Sequence, residues 1–243
     1  MWDKEGNVIE EGHYSQGKLD GSFFQKMNDQ REILYTYKNN LKNGLCQTFY
    51  PPNEKGEKWK ALEISYKNDL VDGLLIEYNE QGVKGAQTPH KGGMKEGVAS
   101  LFAPNGKLQA TVEFHNNLRN GLFVQFNPNG TLSRETSYLN DLREGEERTY
   151  NADETLSSIC HYHNDLLEGL SQNWNPEGVL VFEAEYRAGQ KHGLFKKYYE
   201  DGTPYLVQQF AEDAPNGEKK KFDRKGAATV SNFSEGKLVK GIR

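Results

Sequence analysis

A chain of 243 residues with a formal charge of −5 has no basic stripe for phosphate, which excludes nucleic acid as a direct partner. Hydrophobic residues make up 35% and mean hydropathy is −0.87, low for a compact sphere and suited to a thin sheet that shelters one face. No apolar run approaches the roughly 18 residues of a spanning helix, so the sequence carries no strong membrane signal.

Residues 1–20 read as an entry unit in which Trp2, Val8 and Tyr14 keep register. Trp2 lies four residues before Gly6, so the chain opens inside a repeat. A leader or anchor removed ahead of Trp2 would place the protein in a bacterial periplasm, and otherwise the cytoplasm is expected. Ile33, Tyr35 and Tyr37 then make a strong strand. Residues 50–60 (YPPNEKGEKWK) hold a surplus that lengthens one loop and spares both flanking strands. Trp59 there has the opposite parity to Leu62, Ile64 and Tyr66, and reads either as a partner contact or as a lid folded over a sheet edge.

The stretch 82–97 keeps the period but loses the pattern, with Gly85, Pro89, Gly92 and Gly93 in or beside a strand and His90 where neighbours carry an aromatic ring. Such residues mark a kink or a close approach of a partner to the backbone. His90, Lys91 and Met94 are therefore candidate contacts. From Gly97 to Gly217 the units are regular, and 105–130 shows one whole: Leu108, Ala110, Val112 and Phe114 alternate with polar residues, a turn ends at Gly121, Leu122, Val124 and Phe126 alternate again, and Asn127–Gly130 closes the unit. Phe123 and Tyr205 fall on the outer parity and complete the candidate contacts. His161 and His163 flank Tyr162, yet no third ligand stands at fitting spacing and no metal is assigned. Near the end, Phe233 slips by one residue against Gly241, and the lysines there suit a charged terminal edge.

Four columns hold these units in step. Glycine recurs at 21, 44, 73, 97, 121, 145, 169, 193 and 217, with steps of 24 residues from Gly73 onward. Seven residues before stand Tyr14, Tyr37, Tyr66, His90, Phe114, Tyr138, Tyr162, Tyr186 and Phe210. Five residues after, from Gly44 on, stand Phe49, Tyr78, Phe102, Phe126, Tyr150, Trp174, Tyr198 and Phe222, and a further glycine closes most second turns. A fixed period of this size means an array in which each unit buries its apolar face against its neighbours. The fold class expected is all-β: an open array of about ten tandem antiparallel β-hairpins in one elongated, twisted or curved sheet. The array fills 1–243 as a single repeat domain, with both aromatic columns as one ladder on one face. Cys46 and Cys160, five repeats apart, would stand roughly 45–50 Å from each other in such a sheet and form no disulfide.

The unit G-x-L-x-x-x-x-x-Y-x-N-x-x-x-x-G-L-x-x-x-Y-x-x-x-G resembles the MORN-repeat variant of the bacterial YwqK-type antitoxin family. The match is clearest over 129–202, with Gly130, Leu132, Tyr138, Gly145, Tyr150, Leu156, Tyr162, Gly169, Trp174, Gly178, Leu180, Tyr186, Gly193, Tyr198 and Gly202 in register. The ordinary repeat has a Tyr-x-Gly-x-Trp core, whereas Tyr138-Leu139-Asn140 stands here. The resemblance implies a MORN-like fold and an immunity protein, or antitoxin, whose partner is a cognate toxin or effector. It implies no catalytic residues and no cofactor. A repeat surface offers no obvious water-excluding pocket, so the chain is expected to bind rather than catalyse. The alternative is a MORN-type scaffold or membrane-peripheral protein.

Overall fold

The structure, a computed structural model, describes residues 1–239; the charged end expected at Lys240 to Arg243 lies outside the described residues. Every element among the described residues is a strand, paired antiparallel with strands next or next but one along the chain. The fold is all-β, an open array of hairpins. The chain forms two compact units, Met1–Arg119 and Asn120–Arg243.

Two turn chemistries alternate. The first is a two-residue turn with both central residues at positive φ, as at Asn39-Asn40 (51° and 69°) and Asn68-Asp69 (50° and 66°). These are type I′ turns, whose twist matches that of the flanking strands, and Asn and Asp tolerate the left-handed conformation. The second turn begins with Asn or Asp in most repeats, with Met27, Ala103 or Tyr199 in others, and ends in a left-handed residue. Asn79 accepts the N–H groups of Gln81 and Val83 (3.0 and 2.9 Å), and Gly82 follows at φ 74°. Gln30 and Glu154 occupy the last position where other repeats place glycine.

The recurring glycine sits in a bulge. Ile64 pairs with Leu75 and Tyr66 with Val71, so Asp72, Gly73 and Leu74 together face Ser65. Gly73 has φ 121°, and a Cβ there would stand 2.9 Å from Ser65 Cβ. Backbone and packing both require glycine.

The bulged register decides which side chains share a face. In Lys60–Lys67, Ile64 and Tyr66 point to one side and Glu63 to the other, since neighbours along a strand alternate. Tyr78 reaches Glu63, as Tyr150 reaches Glu135 and Tyr198 reaches Glu183 (2.5, 2.6 and 2.8 Å). Glu135 and Glu183 likewise stand three residues before Tyr138 and Tyr186. The two aromatic columns therefore lie on opposite faces, which corrects the expectation of one ladder on one face.

The face of Tyr66 and Tyr186 is the sheltered one. With no second layer, its cover comes from its own side chains. Ala184 is 0% exposed, opposite Ser171 on one strand and Phe195 on the next. Phe195 meets Phe182 and Phe210 edge-on, with centroids 5.2 and 5.5 Å apart. A cation two residues before the glycine stacks on the aromatic of the following hairpin: Lys42 on Tyr66 (5.3 Å), Lys95 on Phe114 (5.0 Å) and Arg143 on Tyr162 (3.9 Å).

The lengthened loop is itself an extended hairpin end. Tyr50 N–H donates to Trp59 O, and strands Gly44–Phe49 and Lys60–Lys67 are intact on either side. The kink expected in 82–97 is absent: Lys84–Lys91 runs as a continuous strand in the usual register with Leu70–Tyr78. Pro89 is accommodated because it faces the bulge, where its carbonyl accepts Glu96 N–H at 3.0 Å. Cys46 and Cys160 are free thiols, and burial pushes both above the usual thiol range.

Candidate functional site

The type I′ turns stitch successive hairpins together, and this orders one edge of the sheet. The second turn residue donates its N–H to the strand of the preceding repeat and accepts an N–H back on its side chain. Asp69 N–H donates to Lys42 O (2.9 Å) while Asp69 Oδ1 accepts Lys42 N–H (2.7 Å). Asn40 with Leu19, Asn117 with Lys95, Asp165 with Arg143 and Asp213 with Lys191 repeat the pair. Carboxylates one residue before the glycine add a second stitch: Asp20, Asp72 and Glu96 accept turn N–H groups of Asn39, Gly92 and Asn116. That bond to Asn116, then the ion pair with His115, holds the Glu96 carboxyl below the usual carboxylate range. The acids of this edge are thus committed to backbone.

The less sheltered face carries a different pattern along the same edge. In three successive hairpins of the first unit, the residue three before the glycine and the residue one after it are both apolar: Leu41 and Leu45, Leu70 and Leu74, Met94 and Val98. All six are between 40% and 54% exposed. The bulge removes the intervening residues from the ladder, so each pair stands side by side. Opposite the first member of each pair sits a lysine: Lys38 faces Leu41, Lys67 faces Leu70 and Lys91 faces Met94. None of these lysines has a carboxylate within ion-pair distance among the described residues. Small residues, Ser65 opposite Leu45 and Pro89 opposite Leu74, floor the valleys between the apolar ridges. The result is a banded Leu–Lys surface. In the second unit Leu166 and Leu170 repeat the pair, 49% and 39% exposed, while Glu146, Gln190 and Glu218 interrupt it in other hairpins.

Of the residues singled out by sequence, Lys91 and Met94 belong to this band, with His90 beside them, half-buried, its Nδ1 3.1 Å from Thr88 O. Trp59 lies at the other end of the strands. Its ring covers the turn at Gly82, where a Cβ would stand 2.7 Å from Trp59 Cε3, and it remains 42% exposed. Phe123 is not on the outer parity: it pairs with Thr136, on the face of Tyr138, and its ring packs 6.3 Å from that of Tyr138. Tyr205 lines a shallow cleft with Tyr199 and Lys221, its ring 5.2 Å from that of Tyr199. His163 pairs with Glu144 at 2.9 Å, a bond that raises its pKa, and His161 Nδ1 lies 3.0 Å from Leu170 O. Sequence reading missed Leu41, Leu45, Leu70, Leu74 and Val98. The signal was present as two further columns flanking each glycine.

The MORN repeat variant matches this chain at residues 95–116, 119–140 and 191–211. No curated protein matches it. The chain therefore carries MORN repeats, and repeats of this kind suggest a scaffold for protein or membrane interaction.

Proposed function

We propose, taking a MORN-repeat array as the premise, that this protein is a binding module rather than an enzyme, and specifically an immunity protein that neutralises a toxin or effector by binding it. The observation that carries the binding reading is the exposed Leu–Lys band at Leu41, Leu70 and Met94, held on stitched strands. Contiguous exposed apolar surface of this kind marks interaction sites. The antitoxin reading draws on the sequence resemblance and the wholly repetitive build. Its test is capture from native lysate followed by mass spectrometry. One stoichiometric protein, toxic when expressed without this chain, supports it. Recovery with no stoichiometric protein overturns it.

The second reading, a membrane-peripheral scaffold, draws on the same band, since leucine with lysine also suits an anionic bilayer surface. Among the described residues no helix is long and apolar enough to cross a membrane. Flotation with anionic vesicles at low salt separates the two readings.

A further inference from the structure

We infer that Glu144, His163 and Asn164 form a proton-operated latch between two successive hairpins, and that Glu96, His115 and Asn116 form a second one.

The first argument is a shared geometry. His163 and His115 each stand six residues before a recurring glycine, directly ahead of a type I′ turn. Glu144 Oε1 lies 2.9 Å from His163 Nδ1, and Glu144 Oε2 accepts Asn164 N–H at 2.9 Å. Asn164 Nδ2 lies 3.1 Å from His163 Nε2. In the other cluster Glu96 Oε1 to His115 Nδ1, Asn116 N–H to Glu96 Oε2 and Asn116 Nδ2 to His115 Nε2 are each 3.0 Å. One carboxylate thus holds a backbone N–H and an imidazole of the next hairpin at once.

The second argument is where the protons sit. An ionised carboxylate only accepts, and an amide nitrogen only donates. The neutral ring must therefore carry its hydrogen on Nδ1, facing the carboxylate, and accept from the asparagine on Nε2. An added proton goes to Nε2. It turns the contact with the carboxylate into an ion pair and sets N–H against N–H at the asparagine. Turning the amide over presents Oδ1 to the ring and restores that bond. Every contact of the neutral cluster thus survives protonation, and one of them becomes charge-assisted.

The third argument is which group changes charge. The Asn164 N–H first, then His163, holds the Glu144 carboxyl below the usual carboxylate range, so it stays ionised while the ring titrates. The bond to Glu144, then its charge, raises His163, and the charge of Glu168 on the next strand adds to this. Two residues back on the same strand, His161 faces Glu146, which is paired with Arg148. Around His115 the charged groups are Glu96, Lys91 beyond it and Glu113 on its own strand. Because His163 is raised, its contribution is complete below its unfolded pKa of about 6.5 and is lost as pH rises through the folded value. The latch is tight in mild acid and slack in mild base. Lysine, carried at this position as Lys38, Lys67 and Lys91, offers no such change near neutral pH.

The test is NMR of ring and backbone nitrogens in the full chain. The neutral rings of His163 and His115 should report the Nδ1–H tautomer, whereas free histidine favours Nε2–H. Protection of the Asn164 amide, corrected for intrinsic exchange, should fall at least about twofold between about pH 5.5 and 8.5, as suits an exposed charged pair. His163→Lys should show no such fall. His161→Gln should keep it, since His161 meets Glu146 and Leu170 O instead. An Nε2–H tautomer, a parent whose protection changes no more than that of His163→Lys, or a fall abolished by His161→Gln overturns the inference. The outcome is independent of what the array binds.

Discussion

The Tyr78 hydroxyl donates to Glu63 Oε2 at 2.5 Å, on the opposite side of the sheet from Tyr66, only three residues along the chain from Glu63. Lys60 Nζ and Gln47 Nε2 donate to Glu63 Oε1, both at 2.8 Å. Lys60 first, then Tyr78, draws the Glu63 carboxyl down to about 2. Burial, then the bond to Glu63, pushes the Tyr78 phenol up to about 12.

The sign follows from the direction of each shift. Glu63 is depressed in the fold, so its contribution is complete above its unfolded pKa of about 4.3 and is lost as pH falls toward 2. Tyr78 is raised, so its contribution is complete below about 10 and is lost as pH rises toward 12. Urea midpoints of Glu63→Gln should fall less steeply than the parent's between those acid limits. Parallel acid limbs would show the network to be neutral.

Gly73→Ala should destabilise by about 2–3 kcal/mol, since alanine resists a positive φ and its Cβ would meet Ser65. Gly169 has φ 78° with open space where a side chain would begin, so Gly169→Asn should stay within about 1 kcal/mol. Denaturant melts of the two variants check the contrast, and equal losses would show that packing at the bulge does not matter.

Asp69→Ala removes the acceptor of Lys42 N–H and should cost about 1–2 kcal/mol. Asp69→Asn should stay within about 0.5 kcal/mol, because Asn40 and Asn117 make the same bond in other repeats. Hydrogen exchange at the Lys42 amide reports the stitch directly: it should quicken in the alanine variant alone.

Gln30 holds φ 69° in a second turn, a position that other repeats give to glycine. Gln30→Gly should stabilise by about 0.5–1 kcal/mol, as relief of a left-handed backbone outweighs the added freedom of the unfolded chain. A lowered thermal midpoint would show that Gln30 makes compensating contacts.

His163 is raised by its bond to Glu144. In Glu144→Gln its titration midpoint, followed by NMR of the ring protons, should fall. An unmoved midpoint would mean that the ion pair does not form in solution.

The repeat, the strand class, the second turn at Asn127–Gly130 and the alternation within each strand are legible in the residues alone, because turn chemistry and period-two patterning are local. The turn expected to end at Gly121 is instead a two-residue turn at Asn116-Asn117, with Gly121 inside the strand Leu118–Phe126. The surplus loop is legible too, since Tyr50–Lys60 falls between intact strands. Which alternating set of one strand shares a side with its neighbour is settled only in the folded sheet. That is a matter of cross-strand register, and the glycine bulge sets it by withdrawing residues such as Asp72 and Gly73 from the ladder. Hence the two aromatic columns parted to opposite faces, Phe123 joined Tyr138, and Leu41 came to stand beside Leu45. The Leu–Lys band followed from the same bulge, which makes neighbours of residues four apart in the chain.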